Sequence, residues 1–174
     1  QMYYFNVRAV DNAGNVQTPV SSNGQLVSPS LSFAISPATA TFSNLSAGNS
    51  YANTQQTTLT TSTNAYNGYV IRAFITDALR STSGTHTISD FSGGSYASPA
   101  TWSGSETGFG YTSSDTTIQG SNKFGSGSLF APFSQIGPGD IVADHTTSVA
   151  GSPINNESYD ITYKVKVPSS QAAE

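Results

Sequence analysis

The chain has 174 residues, 36% of them hydrophobic and 11% aromatic, enough to bury the core of one domain or of one domain with an appended segment. Only 9% are charged, the net charge is −4 and the six Lys and Arg are scattered, which argues against nucleic acid or an anionic membrane surface as partner. Cysteine is absent, which excludes disulfides, thiolate metal sites and Cys nucleophiles, and no apolar run reaches the roughly 18 residues of a membrane span.

Tyr3, Phe5, Val7 and Ala9 alternate with Tyr4, Asn6, Arg8 and Val10, a period of two that predicts a strand with one apolar face. Asp11-Asn12-Ala13-Gly14-Asn15 is a turn signal. Residues 16–30 are polar, carry Pro19 and Pro29, and read as a linker. Leu31, Phe33 and Ile35 then alternate with Ser32 and Ala34 up to Pro37, and residues 39–45 read as a short strand. Residues 55–63 are Thr-rich and β-prone. After the Asn67-Gly68 turn, Tyr69, Ile71, Ala73 and Ile75 share one face of a strand. Residues 76–80 are the best helix candidate, one turn at most.

Residues 84–139 change character: they are rich in Gly and Ser, with aromatics spaced along them from Phe91 to Phe133. Short strands and long surface loops are expected there. Ile141-Val142-Ala143 is brief. From Tyr159 a final strand runs to Pro168, with Ile161, Tyr163, Val165 and Val167 alternating with Thr162, Lys164 and Lys166. Short strands separated by turns predict an all-β fold, an antiparallel β-sandwich of Ig-like or jelly-roll-like kind with an N-terminal extension strand. Residues 1–20 would form the extension and its linker, and residues 21–174 the sandwich. The apolar faces of 31–35, 69–75 and 161–167 are expected to share one core.

Chemistry-bearing residues are sparse. His86 and the Asp144-His145 pair are the only histidine-based options, and no Gly-x-Ser-x-Gly elbow accompanies them. Asp140, Asp144, Glu157 and Asp160 could supply oxygen ligands to Ca²⁺, but without EF-hand spacing they read first as solvated turn carboxylates. Lys123, Lys164 and Lys166 raise an internal Lys–Asn crosslink, although Lys164 and Lys166 fall on the polar face of their strand. Asn44-Leu45-Ser46 and Asn156-Glu157-Ser158 are glycosylation sequons. The aromatics between Phe91 and Phe133 either stack on sugars or plug the ends of the sandwich. No catalytic residue, metal or cofactor is expected, and the chain is read as not an enzyme.

Tyr4-Phe5-x-Val7-Arg8-Ala9-Val10-Asp11-x-Ala13-Gly14-Asn15 resembles the penultimate strand and following turn of fibronectin type III modules. The resemblance covers under a tenth of the chain and implies an extracellular β context. Thr58-Leu59-Thr60, Thr63-Asn64-Ala65-x-x-Gly68-Tyr69 and Tyr163-Lys164-Val165-x-Val167-Pro168-Ser169-Ser170-Gln171-Ala172-Ala173 resemble modules of bacterial and archaeal cell-surface proteins and fibre subunits. In such modules the last pattern runs into one more strand, whereas here it stops at Glu174. That departure implies a donor-strand fibre. Tyr3, Phe5, Val7 and Ala9 would be lent to a neighbouring copy, filling an acceptor groove beside Tyr159, Ile161, Tyr163, Val165 and Val167, with residues 12–30 as connector. The expected role is a structural subunit of a pilus-like extracellular filament or surface layer, a head-to-tail homopolymer at the cell surface. The alternative is a stalk or adhesive module of a larger surface protein, with surface glycans as partners. The opening strand could also return to its own domain, or belong to a fibronectin-like module outside this chain.

Overall fold

The structure is a computed structural model. It describes residues 2–3, 6–22, 25–26, 28–43, 45–48, 52–80, 84, 86–146 and 152–171; for residues 2, 3, 25, 26 and 53 this means the backbone alone. The chain divides into two compact units, Gln1–Ser30 and Leu31–Glu174. Both are β-structures with antiparallel pairing between their strands, and no α-helix occurs among the described residues.

The first unit is a hairpin. β1 (Met2–Tyr3) pairs with β4 (Gln25–Leu26), and β2 (Asn6–Val7) pairs with β3 (Val20–Ser21), with a further bridge between Val10 and Val16. Asp11 closes the turn: its carboxylate accepts from Ala13 N and Asn15 N at 2.9 Å and from Asn15 Nδ2 at 2.8 Å. These bonds hold the Asp11 carboxyl below its ordinary value. Two expectations change here. Val16, Val20–Ser21 and Gln25–Leu26 pair as the second arm of the hairpin, so the linker reading is wrong for them. Val16 and Val20 supply the apolar members that a pairing arm needs, and the boundary between units falls after Ser30.

The second unit is sandwich-like. Its larger sheet has the order β5 (Leu31–Ser36), β6 (Asn53–Thr63), β12 (Ile154–Lys166), β9 (Gly108–Ser113). A two-stranded sheet joins β7 (Tyr69–Ala73) to β11 (Asp140–His145), and a short pair joins β8 (Ala100–Thr101) to β10 (Leu129–Phe130). Leu59, Phe109, Tyr111, Ile161 and Val165 of the larger sheet bury against Ile141 and Val142 of β11, with Ile71 and Ala73 of β7 packed on the same cluster. On the outer face, polar side chains replace ion pairs across β6 and β12. Thr58 Oγ1 donates to Asp160 at 2.7 Å, the Thr60 and Ser158 hydroxyls hydrogen-bond to each other at 3.0 Å, and Ser62 Oγ donates to Asn156 Oδ1 at 3.3 Å. Such cross-strand pairs are the unit of sheet stabilisation, and they explain how a chain so poor in charge covers a sheet.

Residues 84–139 are not mainly surface loops. Every residue of β9 is buried, and Tyr111 stacks on Phe133 at 4.0 Å between ring centres. Phe124 and Phe109 pack on the same group, and Phe91, Trp102 and Phe130 form a second, smaller cluster with Phe91 stacked on Trp102 at 4.5 Å. Gly110 makes room for this: a Cβ there would lie 2.8 Å from Phe91 Cβ and 2.9 Å from the Ala131 carbonyl. Residues 76–80 form a bend with no helix, tied by an exposed Arg80–Asp77 pair at 2.8 Å. Residues 39–43, expected in a strand, are irregular, but Phe42 packs edge-on against Phe109 at 6.1 Å.

Candidate functional site

The most informative surface lies where the two layers fail to match in width. In the antiparallel ladder, Leu31, Phe33 and Ile35 of β5 stand opposite Thr63, Thr61 and Leu59 of β6. Residues directly opposite share a face, and Leu59, Thr61 and Thr63 are buried. The apolar row of β5 therefore faces the core side, as its alternation implies. Yet Leu31 is 67% exposed, Phe33 48% and Ile35 47%. The opposing sheet ends at β7, which pairs only with β11 among the described strands. A groove of about 270 Å³ results, lined by Leu31, Phe33, Thr61, Tyr69, Val70, Ile71 and Arg72. The Thr61 hydroxyl is buried there beside the Tyr69 phenol, whose own proton goes to Glu157.

Most of the residues expected to border an acceptor groove lie on a strand that is paired on both sides. Tyr159, Ile161, Tyr163, Val165 and Val167 belong to β12 or directly follow it, and β12 is a central strand. It pairs with β6 on one edge and, over Ile161–Lys166, with β9 on the other, so no strand edge is open beside Ile161, Tyr163 and Val165, while Tyr159 lines a pocket with Glu157 and His145. The alternation was read correctly, since Ile161, Val165 and Val167 are buried. The missing neighbour was supplied by β9, whose Phe109 and Tyr111 alternate with Gly108, Gly110 and Thr112, a short signal set within a Gly- and Ser-rich stretch. Of the predicted donor residues, Phe5 lies outside the described residues, and Tyr3 is described only as backbone in β1. Val7 is 68% exposed and Ala9 is exposed. The Val7 backbone pairs with Val20, and the Ala9 carbonyl accepts from Gln17 N at 2.9 Å.

A second group gathers around His145. Its Nδ1 lies 2.9 and 3.0 Å from the two oxygens of Glu157, and Tyr69 Oη donates to Glu157 Oε2 at 2.5 Å. This cluster ties β7, β11 and β12 together. Burial and the Glu157 contact push the Tyr69 phenol far above its ordinary value. Burial also pushes Glu157 upward, but bonds from Tyr69 and His145 outweigh it and leave the carboxyl below its usual value. Asp144 points the other way along β11: it is buried, and its Oδ2 accepts from Gln119 N at 2.9 Å. Asp115, also buried, accepts from Asp144 N at 2.8 Å and from Thr117 N at 2.7 Å. These carboxylates serve as acceptors for backbone N–H groups that no strand reaches. They do not form an acid–base pair with His145.

The calcium reading gathers no shell. Asp144 and Glu157 line one pocket, while Asp160 is bound by Thr58 on the outer face of the large sheet and Asp140 pairs at the far end of β11 with Ala73. Among the described residues no three His, Asp or Glu side chains converge on a metal position. His86 is half-buried in the irregular stretch before the Arg80–Thr87 bridge. The lysines face aromatics and carbonyls. Lys164 Nζ lies 5.2 Å from the Trp102 ring and 5.1 Å from Phe130, and burial lowers its pKa. Lys123 Nζ lies 4.3 Å from the Tyr96 ring, and Lys166 donates to the Gly104 carbonyl. Asn156 is exposed with φ at 52°, its amide oxygen held by Ser62; Asn44 lies outside the described residues. Phe91, Trp102, Phe109, Tyr111, Phe124, Phe130 and Phe133 are all buried, so they fill the interior and present no stacking platform to sugars. Compared with family models, with curated proteins and with solved structures, the chain finds no match. The class that stands is an all-β, sandwich-like chain of antiparallel sheets with an N-terminal hairpin.

Proposed function

We propose that this chain is a structural subunit of an extracellular filament or surface layer, joined by strands added from neighbouring copies. The observation that carries the reading is the core-facing row of Leu31, Phe33 and Ile35 standing exposed beside the edge of β7 that no described strand pairs. A strand laid along β7 would widen the narrow sheet and cover that row. Backbone pairing would supply affinity, and alternate side chains specificity. The donor is the first arm of the hairpin, residues 6–10, taken from the next copy. It matches β7 in length, at five residues each, and contains no proline. The second arm carries Pro19, which has no N–H to give a new ladder. The hairpin adds as a ribbon, so its own pairing survives.

Fully burying three such side chains contributes about 4.5–9 kcal/mol. Roughly half of that row is already covered, which leaves about 2–5 kcal/mol before ordering costs. The contact joins unlike surfaces, so it does not close on itself and propagates as a filament. The test is sedimentation velocity and negative-stain microscopy of the purified chain, beside Phe33→Glu and a chain lacking residues 1–10. Fibres or layers are expected from the parent and neither from the two variants. A strictly monomeric parent, or variants that assemble as well as it does, would sink the proposal. A stalk module of a larger surface protein is the second reading. It is favoured by the hairpin itself, whose Asp11–Asn15 turn resembles a fibronectin type III end and whose Val7, Val10, Val16 and Val20 are all exposed. That reading expects a monomer.

A further inference from the structure

We infer that the outer edge of β5 is a lateral contact between copies of this chain, in which β5 of one copy pairs antiparallel with β5 of another. The two four-stranded sheets then become one. The inference concerns the backbone edge of β5, whereas the hairpin contact covers its apolar face; both involve Leu31, Phe33 and Ile35, and neither requires the other.

The large sheet treats its two outer strands oppositely. The outer edge of β9 is capped by its own chain. Phe109 N donates to the Ser89 carbonyl and Phe91 N to the Phe109 carbonyl, both at 2.9 Å, while Tyr111 and Ala131 exchange two bonds at 2.9 Å. Among the described residues no backbone hydrogen bond reaches the outer edge of β5. Bare edges are normally blunted by charge, proline, a bulge or a cover. Among the described residues β5 has none of these. Its sequence, Leu-Ser-Phe-Ala-Ile-Ser, is uncharged, its six-pair ladder with β6 runs without a register shift, and all six residues are exposed. No Asp, Glu, Lys or Arg occurs anywhere between Asp11 and Arg72.

The same features select the occupant. Neither β5 nor β6 carries a charge of its own to meet a charged partner edge, whose charges would lose water without compensation from these two strands. An uncharged edge of the same sequence has no such cost. A two-fold axis near Phe33 sets Leu31 of one copy beside Ile35 of the other, so the apolar row meets itself. Ser32, Ala34 and Ser36 on the opposite face are small enough for the ladders to approach. Such a contact is isologous and closed. Added to a propagating head-to-tail contact, it pairs filaments side by side or knits them into a layer.

The natural absence of cysteine gives a clean test on the full chain. Ser32→Cys, Phe33→Cys and Ala34→Cys, made singly and oxidised, are expected to give disulfide-linked dimers for at least one position near the axis. Ser105→Cys, on the exposed loop before β9, serves as the control and is expected to stay monomeric. Ala34→Lys, at an exposed position, is expected to weaken the lateral contact about tenfold by placing like charges across the axis. Mixing it with Ala34→Glu is expected to restore the contact, which a mere folding defect would not do. Crosslinking at β5 no better than the control, or a Lys/Glu mixture no tighter than Ala34→Lys alone, overturns the inference. Polymers without β5 crosslinks leave the filament proposal standing and remove this one. β5-linked dimers that never polymerise do the reverse.

Discussion

Tyr111→Phe should make this protein more stable, and the reason is a single hydroxyl. Tyr111 is fully buried, stacked on Phe133 at 4.0 Å and tilted against Phe124 at 5.3 Å. Its Oη has no hydrogen-bond partner. Burial, with Asp140 and Tyr96 nearby, pushes its ionisation far above the ordinary phenol value, so the group is neutral throughout the accessible range. A buried unsatisfied hydroxyl costs about 1–3 kcal/mol, and replacing it with hydrogen removes that cost while the ring contacts stay. The expected gain is therefore about 1–3 kcal/mol, each kcal/mol raising Tm by about 2–4 °C in a chain of this size. Urea unfolding followed by the fluorescence of Trp102, the sole tryptophan and itself buried, measures it. The midpoint should rise with the slope unchanged. A loss of about 1 kcal/mol or more would show that the hydroxyl is satisfied, for instance by an enclosed water, and would refute the reasoning.

The same unfolding assay checks three further changes. Phe133→Ala removes the ring that Phe109, Tyr111 and Tyr163 pack against and should cost about 3–5 kcal/mol. Gly68→Ala should cost at least about 1–2 kcal/mol, because φ there is +66° and a Cβ would lie 1.6 Å from the His145 carbonyl oxygen, forcing β7 and β11 apart. Glu157 has a folded pKa below its reference value of 4.5, so its contribution is present above that value and is lost as pH falls through the lower, folded one. Stability should therefore drop on acidification below about pH 4.5, and Glu157→Gln should flatten that limb of the profile.

Elements with one apolar face were legible in the sequence. Leu31–Ser36, Tyr69–Ala73 and the strand through Ile161 and Val165 alternate, and their apolar rows stand on the core side, although in Leu31–Ser36 that side is left uncovered. β9 was missed although Phe109 and Tyr111 alternate in it, because its other face is mostly glycine and it sits in a Gly- and Ser-rich stretch that reads as loop. The buried aromatics beyond it were read as loop residues for a related reason. Phe91, Phe124 and Phe133 reach the core from irregular backbone, where no periodicity announces which way a side chain points. Residues 16–26 passed for a linker because Pro19 and their polarity outweighed Val16 and Val20. The open groove lay beyond sequence reasoning altogether: alternation fixes which side of β5 is apolar, but the width of the opposing sheet decides whether that side is covered.

Strand β12 sits between β6 and β9 and is encoded after both. During synthesis the ribosome therefore releases β5 and β6 long before the strand that joins them to the rest of the sheet. Their ladder, uncharged throughout, must wait in the open while some ninety residues follow, counted from Thr63 at the end of β6 to Ile154 at the start of β12. Pairing across so long a stretch is slow, and strands left waiting can pair with strands of other nascent chains. The bare edge is thus a hazard at birth, and this protein's yield in a cell should depend on how quickly its last strand arrives, and on any chaperone that shields β5 until then.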